Sequence, residues 1–245
     1  MRYEDVSYQI DEEEFKGFLA YPENESTQPK PAVLVVHTWM GRDDFACQKA
    51  RDIAELGYVA LAVDLYGKGR VASNPEEAAQ LMEPLFIQRT LLQKRLIGAL
   101  NVLQRDVLVN PTKIGAIGFC FGGLSVIELL RSGAPVKGVV SFHGVLGSRL
   151  QDLQAVTVPI APIQGSLLVL HGYHDPLVSQ QDVTHLQEEM TAAGVDWQFN
   201  IYGLAAHAFT NLNQHDKENG MYFEPKANSR SWKAMKAFFA EIFAS

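Results

Sequence analysis

Gly115-Ala116-Ile117-Gly118-Phe119-Cys120-Phe121-Gly122-Gly123 is the stretch that decides how this chain folds. Residues 113–117 have the apolar character of a buried strand and residues 124–131 read as a helix, so a sharp turn must join them. In that turn one cysteine stands between glycines, as Gly118-Phe119-Cys120-Phe121-Gly122. This is the G-x-S-x-G spacing of a nucleophile elbow, with a thiol where the hydroxyl usually stands. Such a turn strains the backbone of its central residue, and flanking glycines let strand and helix approach closely. It also sets the sulfur at a helix N-terminus, where the dipole favours a thiolate. The competing reading is a buried structural cysteine, because free cysteine is among the most buried residue types.

The remainder of the chain supplies a frame for that turn. Ahead of it, 32–36 (Ala32-Val33-Leu34-Val35-Val36) is a continuous apolar run, as expected for a strand buried on both faces of a parallel sheet. It ends in His37-Thr38-Trp39-Met40-Gly41, and residues 43–56 read as a helix closed by Gly57. A strand over 58–63 follows, then a long helical region over 75–104 with a break near Pro84. Beyond the elbow come strands at 136–142, 166–170 and 197–202, a helix at 181–193 and a closing amphipathic helix at 227–243. At the N-terminus, residues 3–9 and 15–21 alternate around an acidic turn, which suggests an antiparallel hairpin at a sheet edge. Residues 22–31 and 158–162 are proline-bearing connections. Strands alternating with helices predict an α/β fold with a mostly parallel, doubly wound sheet flanked by helices. With no repeat, linker or compositional shift, a single domain over 1–245 is expected.

Composition narrows the function classes. A net charge of −7 argues against nucleic acid as a partner, since phosphate binding needs a basic face. Two cysteines, Cys47 and Cys120, do not make a disulfide framework in a chain of 245 residues. No long uncharged apolar run spans a membrane, and the start Met1-Arg2-Tyr3-Glu4-Asp5 lacks a signal-peptide core, so a cytoplasmic protein with no membrane partner is expected.

In a doubly wound sheet, chemistry gathers at the carboxyl ends of the strands. The residues there are His37, Thr38, Asp64, Cys120, His143, the run from His171 to Asp175, and His207. A cysteine nucleophile needs a histidine to manage its proton, and the histidine needs a carboxylate to fix its tautomer. In α/β-hydrolases these follow one another as nucleophile, acid, histidine. Cys120, Asp175 and His207 satisfy that order, each after a strand. Asp175 can also be read as a helix N-cap or an Asp-Pro turn residue, and His207 as a surface loop histidine that competes with His37, His143, His171 and His174 as the base. His37 and His143 are expected to line the pocket or satisfy backbone groups, and Asp64 to be structural. His171, His174 and Asp175 lack a further ligand cluster, so no metal and no cofactor are expected. The oxyanion donors are expected to be the backbone N–H groups of Phe121 and Trp39.

Gly118-x-Cys120-x-Gly122-Gly123, Asp175-Pro176-Leu177-Val178 and His207-x-Phe209 resemble the dienelactone hydrolase family of α/β-hydrolases. Trp39-Met40-Gly41, Asp64-Leu65-Tyr66 and the closing helix near Asn228-Ser229-Arg230 extend the likeness over nearly the whole chain. The resemblance implies an α/β-hydrolase fold and a Cys120–His207–Asp175 triad that cleaves a small-molecule ester or lactone through an acyl-thioester. Thr38, Arg89, His143 and Phe209 are then expected to contact substrate. The chain departs from the dienelactone-cleaving members at two places. Thr38 stands where they carry a glutamate, and Phe209-Thr210-Asn211 replaces a segment with a carboxylate-binding arginine. Readings that remain open are a non-catalytic binding protein of the same fold, and an acyltransferase or peptidase using the same triad. Pocket shape is expected to be set by 67–89 and 211–225, where Met82, Phe86, Tyr222 and Phe223 serve as lid or core.

Overall fold

The computed structural model describes residues 1–23, 28–147 and 162–244. Its centre is an eight-stranded sheet whose strands are β1 (Arg2–Ile10), β2 (Glu13–Tyr21), β3 (Lys30–Val36), β4 (Val59–Ala62), β5 (Val109–Phe119), β6 (Gly138–Phe142), β7 (Ser166–Gly172) and β8 (Trp197–Tyr202). The spatial order is β1-β2-β4-β3-β5-β6-β7-β8. β1 and β2 form the antiparallel hairpin, β2 joins β4 antiparallel, and every pairing from β4 to β8 is parallel. This is the α/β-hydrolase type of sheet with its N-terminal hairpin.

Period-two alternation explains how the sheet recruits two helical layers. On β3, Ala32, Leu34 and Val36 face one apolar cluster while Val33 and Val35 face the other. The first cluster takes in α2 (Pro75–Ile87), α3 (Arg89–Arg105), α4 (Phe121–Arg131) and α5 (Gln180–Ala192). The second takes in α1 (Asp44–Glu55) and the closing helix α6 (Pro225–Ala244). A two-stranded ribbon, β9 (His215–Asp216) with β10 (Met221–Tyr222), lies inside the loop before α6.

Local chemistry sets the ends of these elements. Asp43 caps α1, its Oδ1 accepting the Ala46 N–H at 3.0 Å, and Gly57 follows the helix at φ 94°, where a side chain would be strained. Ser179 and Asp182 form a reciprocal capping box at the start of α5.

Several boundaries differ from those expected. The long helical region breaks at Gln88 (φ −98°, ψ 78°) and not at Pro84, which is absorbed inside α2. Proline lacks a donor but keeps its carbonyl, and the Pro84 carbonyl accepts the Gln88 N–H at 2.9 Å, so the helix ends one turn later. β5 starts at Val109, earlier than 113, because Lys30 pairs with Val109 across a register shift. α4 starts at Phe121 and not at 124, since Gly122 and Gly123 are helical. The expected connection over 158–162 lies outside the described residues except for Pro162. Among the described residues, no helix is long and apolar enough to cross a membrane.

Candidate active site

The elbow between β5 and α4 has the geometry its glycines allow. Cys120 sits at φ 58°, ψ −117°, a conformation that L residues rarely adopt. A Cβ on Gly118 would fall 1.9 Å from the Gly122 carbonyl oxygen, and one on Gly122 would fall 2.3 Å from the Val36 carbonyl oxygen. Only glycine fits at either position. The strain at Cys120 is held by its backbone: its N–H donates to Phe142 O at 3.1 Å, and its carbonyl accepts from Gly123 and Leu124 at 2.9 and 3.3 Å. The sulfur therefore leaves the sheet at the mouth of a helix whose N-terminal amides point toward it.

Beyond the next strands, β7 and β8, stand the acid and the base. The Asp175 carboxylate does two jobs. Oδ1 accepts the Leu177 N–H at 2.9 Å, which makes the Asp-Pro turn, and Oδ2 accepts from His207 Nδ1 at 2.8 Å. Both side chains are buried. His207 is clamped by the β9–β10 ribbon: its N–H donates to Gly220 O at 2.9 Å and its carbonyl accepts from Tyr222 N at 3.2 Å. The bond to Asp175 through Nδ1 leaves Nε2 without a protein hydrogen bond of ordinary geometry. Burial opposes charge on this imidazole, but Coulombic attraction to Cys120, followed by the hydrogen bond that Nδ1 donates to Asp175, outweighs it and raises the His207 pKa to about 10. The raised value favours the imidazolium form of His207 at neutral pH.

A cavity of about 740 Å³ opens over this pair. Cys120, His207, His143, Thr38, Trp39 and Phe121 all line it, so the structure brings these sequence-derived positions together. Asp175 lies behind His207, outside the wall. The two remaining expected contacts are placed elsewhere. Phe209 is fully buried, packing edge-on against His143 (ring centroids 5.1 Å) and Tyr202 (5.5 Å). Arg89 is buried behind α2, where its guanidinium binds Glu128 at 3.2 Å and the Phe86 carbonyl at 2.6 Å. Neither forms part of the cavity wall.

Of the other strand-end groups, Asp64, His37 and Thr38 have backbone partners. Asp64 accepts four backbone N–H groups, from Lys16, Tyr66, Gly67 and Gly69, at 2.7–2.9 Å, which makes it the structural pin expected. His37 accepts the Leu65 N–H at Nε2 (3.3 Å) and turns Nδ1 to the Thr38 carbonyl, so it binds the loop after β3 to the end of β4. The Thr38 hydroxyl accepts the Met40 N–H at 3.3 Å. His143, at φ 37°, bonds Thr210 Oγ1 at 2.8 Å and meets His207 edge-on with centroids 5.3 Å apart. Burial, and then the charge on His207, hold the His143 pKa well down, so it stays neutral beside the imidazolium. His174 is exposed.

Two participants are absent from the sequence reading of the site. The buried Tyr66 hydroxyl donates to the Trp39 carbonyl at 2.8 Å and its ring packs on His37 (4.9 Å), which fixes the loop carrying the Trp39 amide. Its signal is an aromatic residue two positions past a strand-end aspartate. The β9–β10 ribbon gives no such signal, because strands of two residues have no periodicity to read.

The model of the dienelactone hydrolase family matches residues 15–243. The chain belongs to the dienelactone hydrolase family. Like the family, it is a carboxylic ester or lactone hydrolase. Solved structures similar to this family member include one described as m3DLH, 36% identical with a TM-score of 0.89, over 99% of this chain and 98% of the other. A dienelactone hydrolase-like promiscuous phosphotriesterase from metagenomic libraries is 32% identical with a TM-score of 0.88, over 98% of both chains. A curated relative, the putative carboxymethylenebutenolidase of Aquifex aeolicus, is 28% identical over 91% of this chain and 92% of its own.

Proposed function

We propose that this hydrolase works through a Cys120–His207–Asp175 triad and a covalent acyl-thioester. The Cys120 thiolate attacks the acyl carbon of a small-molecule ester or lactone. The resulting oxyanion is held by the backbone N–H groups of Phe121, at the start of α4, and Trp39, in the loop pinned by Tyr66. Collapse of the tetrahedral adduct breaks the acyl–oxygen bond, and the His207 imidazolium gives its proton to the departing alkoxide. Neutral His207 then takes a proton from water as the hydroxide adds to the thioester, and the second collapse releases the carboxylic acid and restores the thiolate. Asp175 holds the imidazole in the tautomer that keeps Nε2 toward the sulfur. A thiolate is a better leaving group than an alkoxide, so esters and lactones with easily departing alcohols suit this cycle better than amides.

The observation that carries the reading is the 2.8 Å bond between buried Asp175 and His207, with the strained Cys120 on the same cavity. The likeness to a promiscuous phosphotriesterase at 32% identity supports a second, slower substrate class, phosphotriesters attacked by the same thiolate. The test uses chromogenic short-chain esters with the wild type and Cys120→Ala. Turnover should fall by at least about 10³-fold in the variant. Mass spectrometry of the wild type should find an adduct on Cys120 with a slow ester. Full activity in Cys120→Ala removes the nucleophile assignment. No turnover together with no labelling of Cys120 favours a non-catalytic binding protein.

A further inference from the structure

We propose that the cavity selects uncharged, predominantly apolar esters or lactones and rejects anionic ones. This rests on the Cys120 mechanism above and adds the charge class of its substrate.

The wall of the cavity is mostly apolar, and Trp39, Met82, Phe86, Val145, Leu177 and Met221 are among its apolar residues. Among the described lining residues there is no lysine or arginine. Apart from the Cys120–His207 pair, the formal charges on the wall are two carboxylates, Asp43 and Glu83. Asp43 is fixed in place as the cap of α1, and Glu83 is exposed on α2. Burial pushes the Asp43 carboxyl up from its ordinary range, so this wall already disfavours the negative charge it carries.

The arginine that could have answered a substrate carboxylate is committed elsewhere. Arg89 packs its guanidinium over the Phe86 ring, 4.3 Å from the centroid, and spends its charge on Glu128. Phe86 reaches the cavity and Arg89 does not. The polar, uncharged groups on the wall include the amides of Asn211 and Gln214, the Thr38 hydroxyl and the neutral His143 ring. An anionic substrate would therefore leave water without a counter-ion and meet two like charges. An uncharged ester loses little and gains apolar contact. The chain's net charge of −7 adds to the repulsion during approach.

The experiment compares two p-nitrophenyl esters that differ in one group: the ester of succinic acid, with a free carboxylate, and that of monomethyl succinate. In low salt the neutral ester should show kcat/KM about tenfold or more above the anionic one, and the ratio should narrow as salt approaches ~0.5 M. Glu83→Lys should move the ratio toward the anionic ester by roughly fivefold. Equal rates, or preference for the anion, would overturn the selection while leaving the hydrolase mechanism standing. An unmoved ratio in Glu83→Lys would overturn its electrostatic cause. If neither ester is turned over and Cys120 resists labelling, the mechanism itself fails and the selection with it.

Discussion

His207 binds its proton more tightly than a free imidazole because Cys120 attracts it and Asp175 accepts its Nδ1 hydrogen bond. Its raised pKa means that the imidazolium persists through neutral pH and is lost only as pH passes about 10. In the proposed cycle acylation draws its proton from that imidazolium, so kcat/KM should fall on the alkaline side near the same pH. In Cys120→Ala the attraction of the thiolate is gone, and the His207 titration should move to lower pH. Nitrogen-15 NMR of the imidazole in both proteins measures this, and coincident titrations would break the proposed ion pair. The sequence carried much of this at the level of single residues. Cys120, Asp175 and His207 could be chosen because each follows a strand in a fixed order. Arg89 was misplaced for a physical reason: its partner Glu128 is 39 residues away on another helix, and no local pattern records that pairing.

The pairing shows its weight between elements, where α3, α4 and α5 meet. Glu128 is fully buried and accepts from Arg89 at 3.2 Å, from Arg131 at 2.8 Å and from Gln93 at 3.1 Å, while Arg131 also binds Glu189. Removing the central carboxylate leaves buried guanidinium charge on α3 uncompensated. Glu128→Gln should therefore cost about 3–5 kcal/mol and lower the melting temperature by roughly 10 °C. Thermal unfolding followed by circular dichroism checks it, and a shift under a degree would show that the cluster is solvated. Legibility also has a pattern at this scale. β3, α1 and the elbow were readable because hydrophobic runs and caps are local, whereas the β9–β10 clamp on His207 depends on a pairing between separate loop segments.

At the scale of the molecule, three buried histidines among the described residues are kept neutral, and burial is the first cause in each: His37, His143 and His171. Their pKa values are lowered in the fold, so below about pH 6.5 the unfolded chain binds protons that the native state refuses. Stability must then fall with acidification, by up to about 1.4 kcal/mol per pH unit for each histidine. Urea unfolding at pH 7 and pH 5.5 measures the slope, and a flat profile would show that these rings accept protons in the native state. The helix that carries the sulfur has a further consequence. All of α4, from Phe121 to Arg131, is buried, and it touches β3, β5, β6 and α3. The proposed nucleophile thus has no independent mobile platform that could loosen while the core stays intact. Loss of esterase activity on heating and loss of the fold become the same event. The half-life of activity at high temperature is then a clock for the rate of global unfolding.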